Sequence, residues 1–149
     1  MEQEQASSIT SFKTAGEYFG IETMKIQHIL ENLKPTPVPL TAEYILGIIN
    51  NHGNMFPVVD FRQLIGADAD DNQPEASIIV VSVDGTNETL IGFKVDEVDE
   101  VFDITKEKVT KDVVLEVDNK GVQASLSGTI SRDGKFIYTV NIDELSKVI

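Results

Sequence analysis

One short run, residues 77–83, constrains the fold more than any other part of the sequence. It reads Ser-Ile-Ile-Val-Val-Ser-Val, and a run of β-branched apolar residues of this length is typical of a buried strand. Shorter apolar segments precede and follow it, and most are bounded by Gly, Asn or Asp, which adopt turn conformations easily. No segment has the sustained period of a long helix. The sequence therefore predicts a mainly β fold, either a barrel or a sandwich.

The predicted strands can be placed along the chain from this alternation. Segment 24–33 fits either a short helix or an irregular strand, and three alternating prolines at 35, 37 and 39 predict an extended connection after it. Residues 105–124 carry no clear pattern. The predicted strands are residues 9–14, 18–21, 47–50, 55–59, 77–83, 89–95, 98–104, 126–131 and 135–140.

Three short helical turns are predicted from residues that cap helices. Side chains of Thr, Asp and Asn accept hydrogen bonds from the first free N–H groups of a helix. Thr41 is expected to cap a turn over 42–46, and Asp60 a turn over 61–65. Asn141 or Asp143 is expected to begin a short C-terminal helix.

Length and composition bound the class of protein. A chain of 149 residues predicts one domain, which we expect to span residues 9–149 after a disordered tail at 1–8. The absence of cysteine excludes disulfides and thiolate metal sites. No apolar run reaches the ~20 residues that span a bilayer, and the acidic N-terminus is unlike a signal peptide. We therefore expect a cytoplasmic protein that does not insert into membranes.

The net charge of −13 disfavours several partners. Phosphate backbones and anionic lipid surfaces would repel such a chain, so nucleic-acid binding is not expected. The acidity fits a soluble surface, or a surface that complements a basic partner.

Residues with potential chemistry do not form a catalytic pattern. The chain has two histidines and neither a Gly-x-Ser-x-Gly motif nor a phosphate-binding glycine loop. The carboxylate pairs Asp96/Glu97 and Asp99/Glu100 alternate with valines, which predicts polar positions that face outward. We therefore predict no catalytic residue and no cofactor.

One acidic stretch matches only part of the pattern of a calcium-binding loop. Asp68, Asp70 and Asn72 fall at alternate positions, as ligands of such a loop do. The loop needs a glycine next, where Gln73 stands, and a glutamate at its last position, where Ile79 stands. We therefore predict a solvated acidic loop over 67–76 and no metal site.

Residues 44–62 (YILGIINNHGNMFPVVDFR) resemble the most distinctive stretch of the CheW family of chemotaxis coupling proteins. The order Gly-x-x-Asn-x-x-Gly-x-x-x-Pro-x-x-Asp is the specific part of the likeness. Other segments are similar to the family in order and spacing, so that the resemblance covers about residues 9–147. These are FGI at 19–21, MKIQHI at 24–29, TPVP at 36–39, IGFKVDEV at 91–98, Gly128 and residues 136–145.

The resemblance implies a fold and a function. The fold would be two small five-stranded β-barrels, SH3- or OB-like, packed together with short helices, the chain passing between them. The function would be non-catalytic: an adaptor that joins the cytoplasmic tip of chemoreceptors to the regulatory domain of a CheA-type histidine kinase, in receptor arrays at the inner face of the membrane.

The resemblance also implies binding residues. Residues that match the family's receptor side are Ile26, His28, Ile29 and His52. Residues that flank its kinase-facing hairpin are Gly47, Asn54 and Met55. His28 stands where the family usually has Glu, and His52 where it usually has Arg, at positions thought to face one another. The exchange is interpreted as altered partner specificity or a mildly pH-sensitive surface; the alternative is a neutral or solvated pair.

Two other classes of function compete with an adaptor. A barrel that binds a small ligand would enclose an apolar cavity, whereas an adaptor would present an open apolar groove. An enzyme would need convergent polar groups with shifted pKa values in a pocket, and the sequence supplies no obvious nucleophile and base.

Overall fold

The computed structural model describes residues 8–31, 33–39, 41–68, 70, 76–83, 89–103, 108–110 and 125–149. Three sequence predictions fall partly or wholly outside these residues: the N-terminal tail up to residue 7, most of the acidic loop at 67–76, and the last residue of the strand predicted at 98–104. Most of segment 105–124, which has no clear pattern, also lies outside them. Ser8, which we assigned to the tail, is instead the first residue of a strand.

The described residues form strands joined by tight turns, with two one-turn α-helices. The strands are β1 (Ser8–Thr14), β2 (Glu17–Glu22), β3 (Ile26–Glu31), β4 (Ile45–Asn51), β5 (Asn54–Asp60), β6 (Ser77–Ser82), β7 (Leu90–Val95), β8 (Glu97–Asp103), β9 (Lys108–Thr110), β10 (Leu126–Arg132) and β11 (Lys135–Val140). The helices are α1 (Phe61–Leu64) and α2 (Ile142–Leu145), and 3₁₀ turns span Thr23–Lys25 and Ser146–Val148.

The strands form two sheets, which confirms the mainly β fold with two lobes and short helices. The first sheet has the order β8-β1-β2-β11-β10-β9, and the second has the order β3-β6-β7-β5-β4. The chain thus begins in the first sheet, builds the whole second sheet and returns to the first. One detail differs from the expectation of closed five-stranded barrels: among the described residues both sheets are open, and the first has six strands. Closure depends on strand tilt and stagger, which alternation of residues does not encode.

One predicted helix is wrong and two are confirmed. Residues 43 and 44 form a turn, and residues 45 and 46 already belong to β4. Thr41 Oγ1 donates to the Val38 carbonyl (3.1 Å) instead of capping a helix. Pairing with β5 explains the difference, since the Asp60 N–H donates to the Tyr44 carbonyl (2.7 Å) and draws the chain into the sheet. Asp60 caps α1 and Asn141 caps α2, each through a side-chain oxygen that accepts from a backbone N–H.

The largest core cluster lies between the two sheets. Phe12 and Phe19 of the first sheet meet Phe61 edge-on, with ring centroids 5.2 and 4.9 Å away, and Phe61 meets Phe93 at 5.9 Å. These rings are almost fully buried, and edge-to-face pairs of this kind add to the energy of apolar burial. The two lobes therefore share one apolar core.

Each lobe also has an apolar cluster of its own. The second sheet buries Ile49, Phe56, Val58, Ile78 and Val80 on the face turned away from the first sheet. The first sheet buries a smaller group on its own far face, namely Ile9, Phe102, Ile130 and Ile137. Apolar side chains therefore pack on both faces of both sheets. They form three layers: the shared core between the sheets and one cluster on the far face of each.

A polar junction also joins the lobes where the chain returns from β7 to β8. Asp96 Oδ2 accepts a hydrogen bond from Arg62 Nη1 of α1 (2.7 Å) and another from the Ala15 N–H in the β1–β2 turn (2.9 Å). The Asp96 N–H donates to the Lys13 carbonyl (3.0 Å). The prediction that Asp96 faces outward is therefore wrong. Its carboxylate connects α1 of one lobe to the β1–β2 turn of the other.

Candidate docking surfaces

The turn between β4 and β5 carries three of the predicted binding residues. His52 and Gly53 both have positive φ (54° and 88°), as the two central residues of a type I′ hairpin turn must. Asn50 Oδ1 accepts from the Gly53 N–H (3.0 Å) and fixes the turn. His52, Asn54 and Met55 are exposed, and 66% of Met55 is accessible to solvent. The hairpin therefore presents an imidazole, an amide and a thioether side chain on a rigid turn.

Two substitutions of His52 are expected to distinguish the need for positive φ at this position from any contribution of the imidazole to stability. A β-branched residue at positive φ is strained, whereas Asn adopts this conformation readily. His52 already bears the cost that a Cβ has at positive φ, so His52→Val should lower the free energy of unfolding by no more than about 1 kcal/mol, and His52→Asn should leave it nearly unchanged. Urea unfolding measures both. Equal stability of the two variants would mean that the turn does not hold residue 52 at positive φ.

Gly47 has a different environment from the rest of the hairpin. It is buried, has φ of 148° and lies beneath the Thr36 carbonyl: a Cβ atom built on Gly47 would be 2.1 Å from that oxygen. Thr36 forms an isolated antiparallel bridge with Ile48, with both N–O distances 2.9 Å. Gly47 thus allows the segment after β3 to approach β4, and any role in kinase binding stays a prediction.

The residues predicted for the receptor side lie mainly on β3, at the first edge of the second sheet. Ile26 is half-buried and packs against the main core. His28 is exposed, and Ile29 is 48% exposed. Three strands separate β3 from β4 in the sheet order, so His28 and His52 belong to different edge elements. That they face one another stays a prediction.

Two exposed apolar residues near β3 were missed by the sequence reasoning. Met24, in the 3₁₀ turn before β3, is 80% exposed, and Leu33, just after the strand, is 46% exposed. With Ile29 they are three of the six large apolar side chains that the described residues expose. The mixed periodicity of residues 24–33 was the available signal, because a segment buried on one face would have shown a single period.

A network of charges occupies one side of the first sheet. Lys135 Nζ contacts Asp99 Oδ2 (2.7 Å), and Arg132 Nε contacts Glu100 Oε2 (3.1 Å). Arg132 also stacks over the Phe102 ring at 4.3 Å. These contacts tie β8 to the β10–β11 hairpin, which is not its neighbour in the sheet. The carboxylates of Asp99 and Glu100 are thus engaged in ion pairs rather than arranged for acid–base chemistry.

The Lys135 contact predicts a dependence of stability on alkaline pH. The hydrogen bond to Asp99 raises the pKa of Lys135 above its ordinary value of 10.5. The contact therefore stabilises the fold fully below pH 10.5 and is lost as the pH rises through the raised pKa. Because both groups are partly exposed, we expect an effect below about 1 kcal/mol. In urea unfolding, the stability difference between the wild type and Lys135→Met should shrink above that pH; a constant difference would contradict the prediction.

Neither a metal cluster nor a membrane-spanning helix is found in the part of the chain that the structure describes. No group of three or more His, Asp or Glu side chains is arranged there to hold a metal ion. No helix there is long and apolar enough to cross a bilayer.

Comparison with known proteins gives one family. The family model described as "CheW-like domain" matches residues 8–149. The chemotaxis protein CheW of Thermotoga maritima is 29% identical over 141 residues, which cover 95% of this chain and 88% of the relative. CheW of Helicobacter pylori is 23% identical over 146 residues, 98% of this chain and 85% of the relative.

A solved structure shares the fold. The scaffolding protein TtCheW from Thermoanaerobacter tengcongensis superposes with a TM-score of 0.77 at 26% sequence identity. The match covers 93% of this chain and 86% of that structure. The similarity therefore extends over most of the fold.

Proposed function

This chain belongs to the CheW-like family of chemotaxis scaffold proteins, and from that premise we propose that it is a non-catalytic adaptor coupling chemoreceptors to a CheA-type histidine kinase. The observation that carries the proposal is the family match over residues 8–149, which includes both surfaces predicted to bind. As an adaptor it would act in the cytoplasm, at receptor arrays on the inner face of the membrane.

The exposed hairpin supports the kinase side of the proposal. A thioether side chain that is mostly accessible to solvent contributes little to the fold, and Met adapts well to a partner's surface. Met55 and Asn54 would contact the kinase's regulatory domain, and Gly47 would act by shaping β4.

The exposed residues of β3 support the receptor side. Ile29 and His28 present an apolar and a titratable side chain on opposite faces of one strand, with Ile26 at their base. An amphipathic helix of a receptor tip could place its apolar side chains against such residues. His52 would contribute from the hairpin only if the receptor reaches both elements.

The alternative, a barrel that binds a small ligand, is less well supported. The faces of the sheets that would line a cavity carry packed side chains, among them Phe56 and Val80 in the second lobe and Phe102 and Ile137 in the first. An enzyme is also disfavoured, because three of the four carboxylates considered for acid–base work, Asp96, Asp99 and Glu100, are engaged in ion pairs.

The test is binding to both partners, followed by a kinase assay. The full chain should bind a CheA regulatory domain and a receptor cytoplasmic fragment, and kinase activity should become dependent on the receptor when the chain is added. Binding to neither partner at concentrations well above the micromolar range would contradict the proposal and favour the ligand-binding alternative.

Substitution of Met55 gives the proposal a sharper test. Met55→Ser should weaken binding to the kinase domain about tenfold, the effect of losing an apolar anchor of ~1.4 kcal/mol. Phe136→Ser is the matched control, since Phe136 is equally exposed (66%) but lies on the first sheet. Isothermal titration calorimetry measures both. If the two variants lost equal affinity for the kinase domain, or if Met55→Ser lost none, the hairpin would not be part of the kinase interface.

A further inference from the structure

Among the residues that the structure describes, β3 is the sheet edge whose outer side has least protection. In the described part of the chain, β3 has a single hydrogen-bonded neighbour, β6. At the other edge of the second sheet, β4 is bridged by Thr36. In the first sheet, Asp99 and Glu100 of β8 form ion pairs with Lys135 and Arg132, and the described part of β9 has three residues. Unprotected edges are templates for another strand.

The side chains of β3 do not shield this edge. Gln27, His28, Ile29 and Glu31 are all exposed, so both faces of the strand are open to solvent. Natural edge strands are usually blocked by proline, by inward charges or by a bulge. In β3 the register shift lies at its beginning, between Ile26 and His28. The regular segment that follows is therefore free to pair.

The pattern of β3 specifies the chemistry of an added strand. Ile29 lies opposite Ile79, and Glu31 opposite Ser77, so an apolar and an acidic side chain lie two positions apart on the same face. The register therefore offers a partner strand one apolar and one anionic contact, side by side.

Charge decides between two occupants of this edge. A second copy of the chain would bring another net charge of −13 and another Glu31 to the same place, and like charges in adjacent strands are destabilising. A cationic segment would be attracted instead. We propose that β3 binds an extended peptide segment by antiparallel strand addition, and that the segment carries a basic residue two positions before an apolar one.

The spacing follows from the geometry of antiparallel pairing. If the apolar residue of the peptide lies opposite Ile29, the residue two positions earlier lies opposite Glu31. The peptide residue between these two would lie opposite Leu30, and the residue after the apolar one would lie opposite His28. Leu30 and His28 are on the other face of the sheet, beside Ile78 and Val80 of β6. The motif is thus basic–x–apolar, read from the N-terminus. This binding mode is distinct from the docking of a helix, although it uses β3 residues that the proposed function assigns to the receptor.

The probe is a fluorescently labelled peptide of about ten residues, with Thr and Val alternating and one Arg replacing the Val two positions before the central Val. We expect fluorescence anisotropy to show binding, and amide NMR shifts to map it to β3. N-methylation of alternate amides on the pairing side should weaken binding more than tenfold, because it removes backbone hydrogen bonds. The reversed sequence, which moves Arg away from Glu31, should bind a few-fold more weakly.

A double-mutant cycle tests the predicted register. Glu31→Gln should weaken binding of the Arg peptide about 2–5-fold and leave a Thr-for-Arg peptide nearly unaffected. Ile29→Thr should weaken both peptides, whereas Val101→Thr, at a residue that is 59% exposed on β8, should weaken neither. Circular dichroism and urea unfolding verify that each variant is folded.

Three outcomes would overturn the inference: no binding, amide shifts that map outside β3, or sedimentation that shows the chain pairing with itself through this edge. The measurement uses the full chain without kinase or receptor. Failure here would therefore leave the adaptor proposal standing, and failure of kinase coupling would leave the peptide result unchanged.

Discussion

Asp96→Ala is expected to lower the free energy of unfolding by about 2–3 kcal/mol. The substitution removes the acceptor of two hydrogen bonds, from Arg62 Nη1 and from the Ala15 N–H. It also leaves the Arg62 guanidinium, whose side chain is only 20% exposed, without its carboxylate. Breaking a buried pair costs more than breaking a surface pair because the remaining charge stays desolvated. For a chain of this length, the melting temperature should fall by about 5–10 °C.

Three further variants make the Asp96 prediction specific. Asp96→Asn keeps an acceptor for the Ala15 N–H and should cost less than alanine. Glu144→Ala is the control for an exposed ion pair, since Glu144 and Lys147 are 52% and 69% exposed, and it should change stability by less than about 0.5 kcal/mol. The double variant Arg62→Ala/Asp96→Ala should be less destabilised than the sum of the single variants. Additive effects, or an Asp96→Ala variant as stable as the control, would show that the junction does not join the lobes energetically.

Gly47→Ala is expected to destabilise the protein by about 3 kcal/mol or more, which is the larger of the two effects. The new Cβ would lie 2.1 Å from the Thr36 carbonyl oxygen and 2.6 Å from its carbon. Both are backbone atoms that cannot move without breaking the bridge between Thr36 and Ile48. Overpacking alone costs about 1–3 kcal/mol, and the φ of 148° adds strain for any residue with a Cβ.

Gly53→Ala is the matched control in the same hairpin. Gly53 also has positive φ (88°), but no atom of the described residues lies within 4 Å of the position that a Cβ would take there. Only conformational strain should apply, about 1–2 kcal/mol. Comparing the urea unfolding of the two variants distinguishes backbone strain at positive φ from the steric clash between a new Cβ and the Thr36 backbone. Equal destabilisation would mean that Thr36 does not lie against Gly47, and a loss of kinase binding by Gly47→Ala without loss of stability would restore it as a direct contact.

Much of the local structure was predictable from the sequence because it depends on neighbouring residues. Asp60 and Asn141 cap their helices, since a cap needs only a side-chain oxygen and an N–H two or three residues later. The Asn51–Asn54 turn follows from residues that tolerate positive φ. The buried strand β6 follows from its run of β-branched residues.

The Thr41 error marks where local reasoning fails. Its side chain is a good cap by type, yet the segment 42–46 joins β4 because the β5 strand, which begins several residues later, offers it backbone partners. Propensity for a short helix is worth little against a strand ladder. Likewise, the mixed pattern of residues 24–33 was ambiguous because β3 is exposed on both faces.

The sequence alone determined most of the strands and turns, two of the caps and the family resemblance, all of which depend on residues close together in the chain or on their order. It left β3 ambiguous and did not predict β9. Only the tertiary structure decided which residues join the lobes and which edge stays open. Asp96 meets Arg62 and Ala15, which are 34 and 81 positions away, and Gly47 owes its role to the approach of Thr36. Such contacts depend on the path of the backbone between distant segments, and neither composition nor periodicity encodes that path.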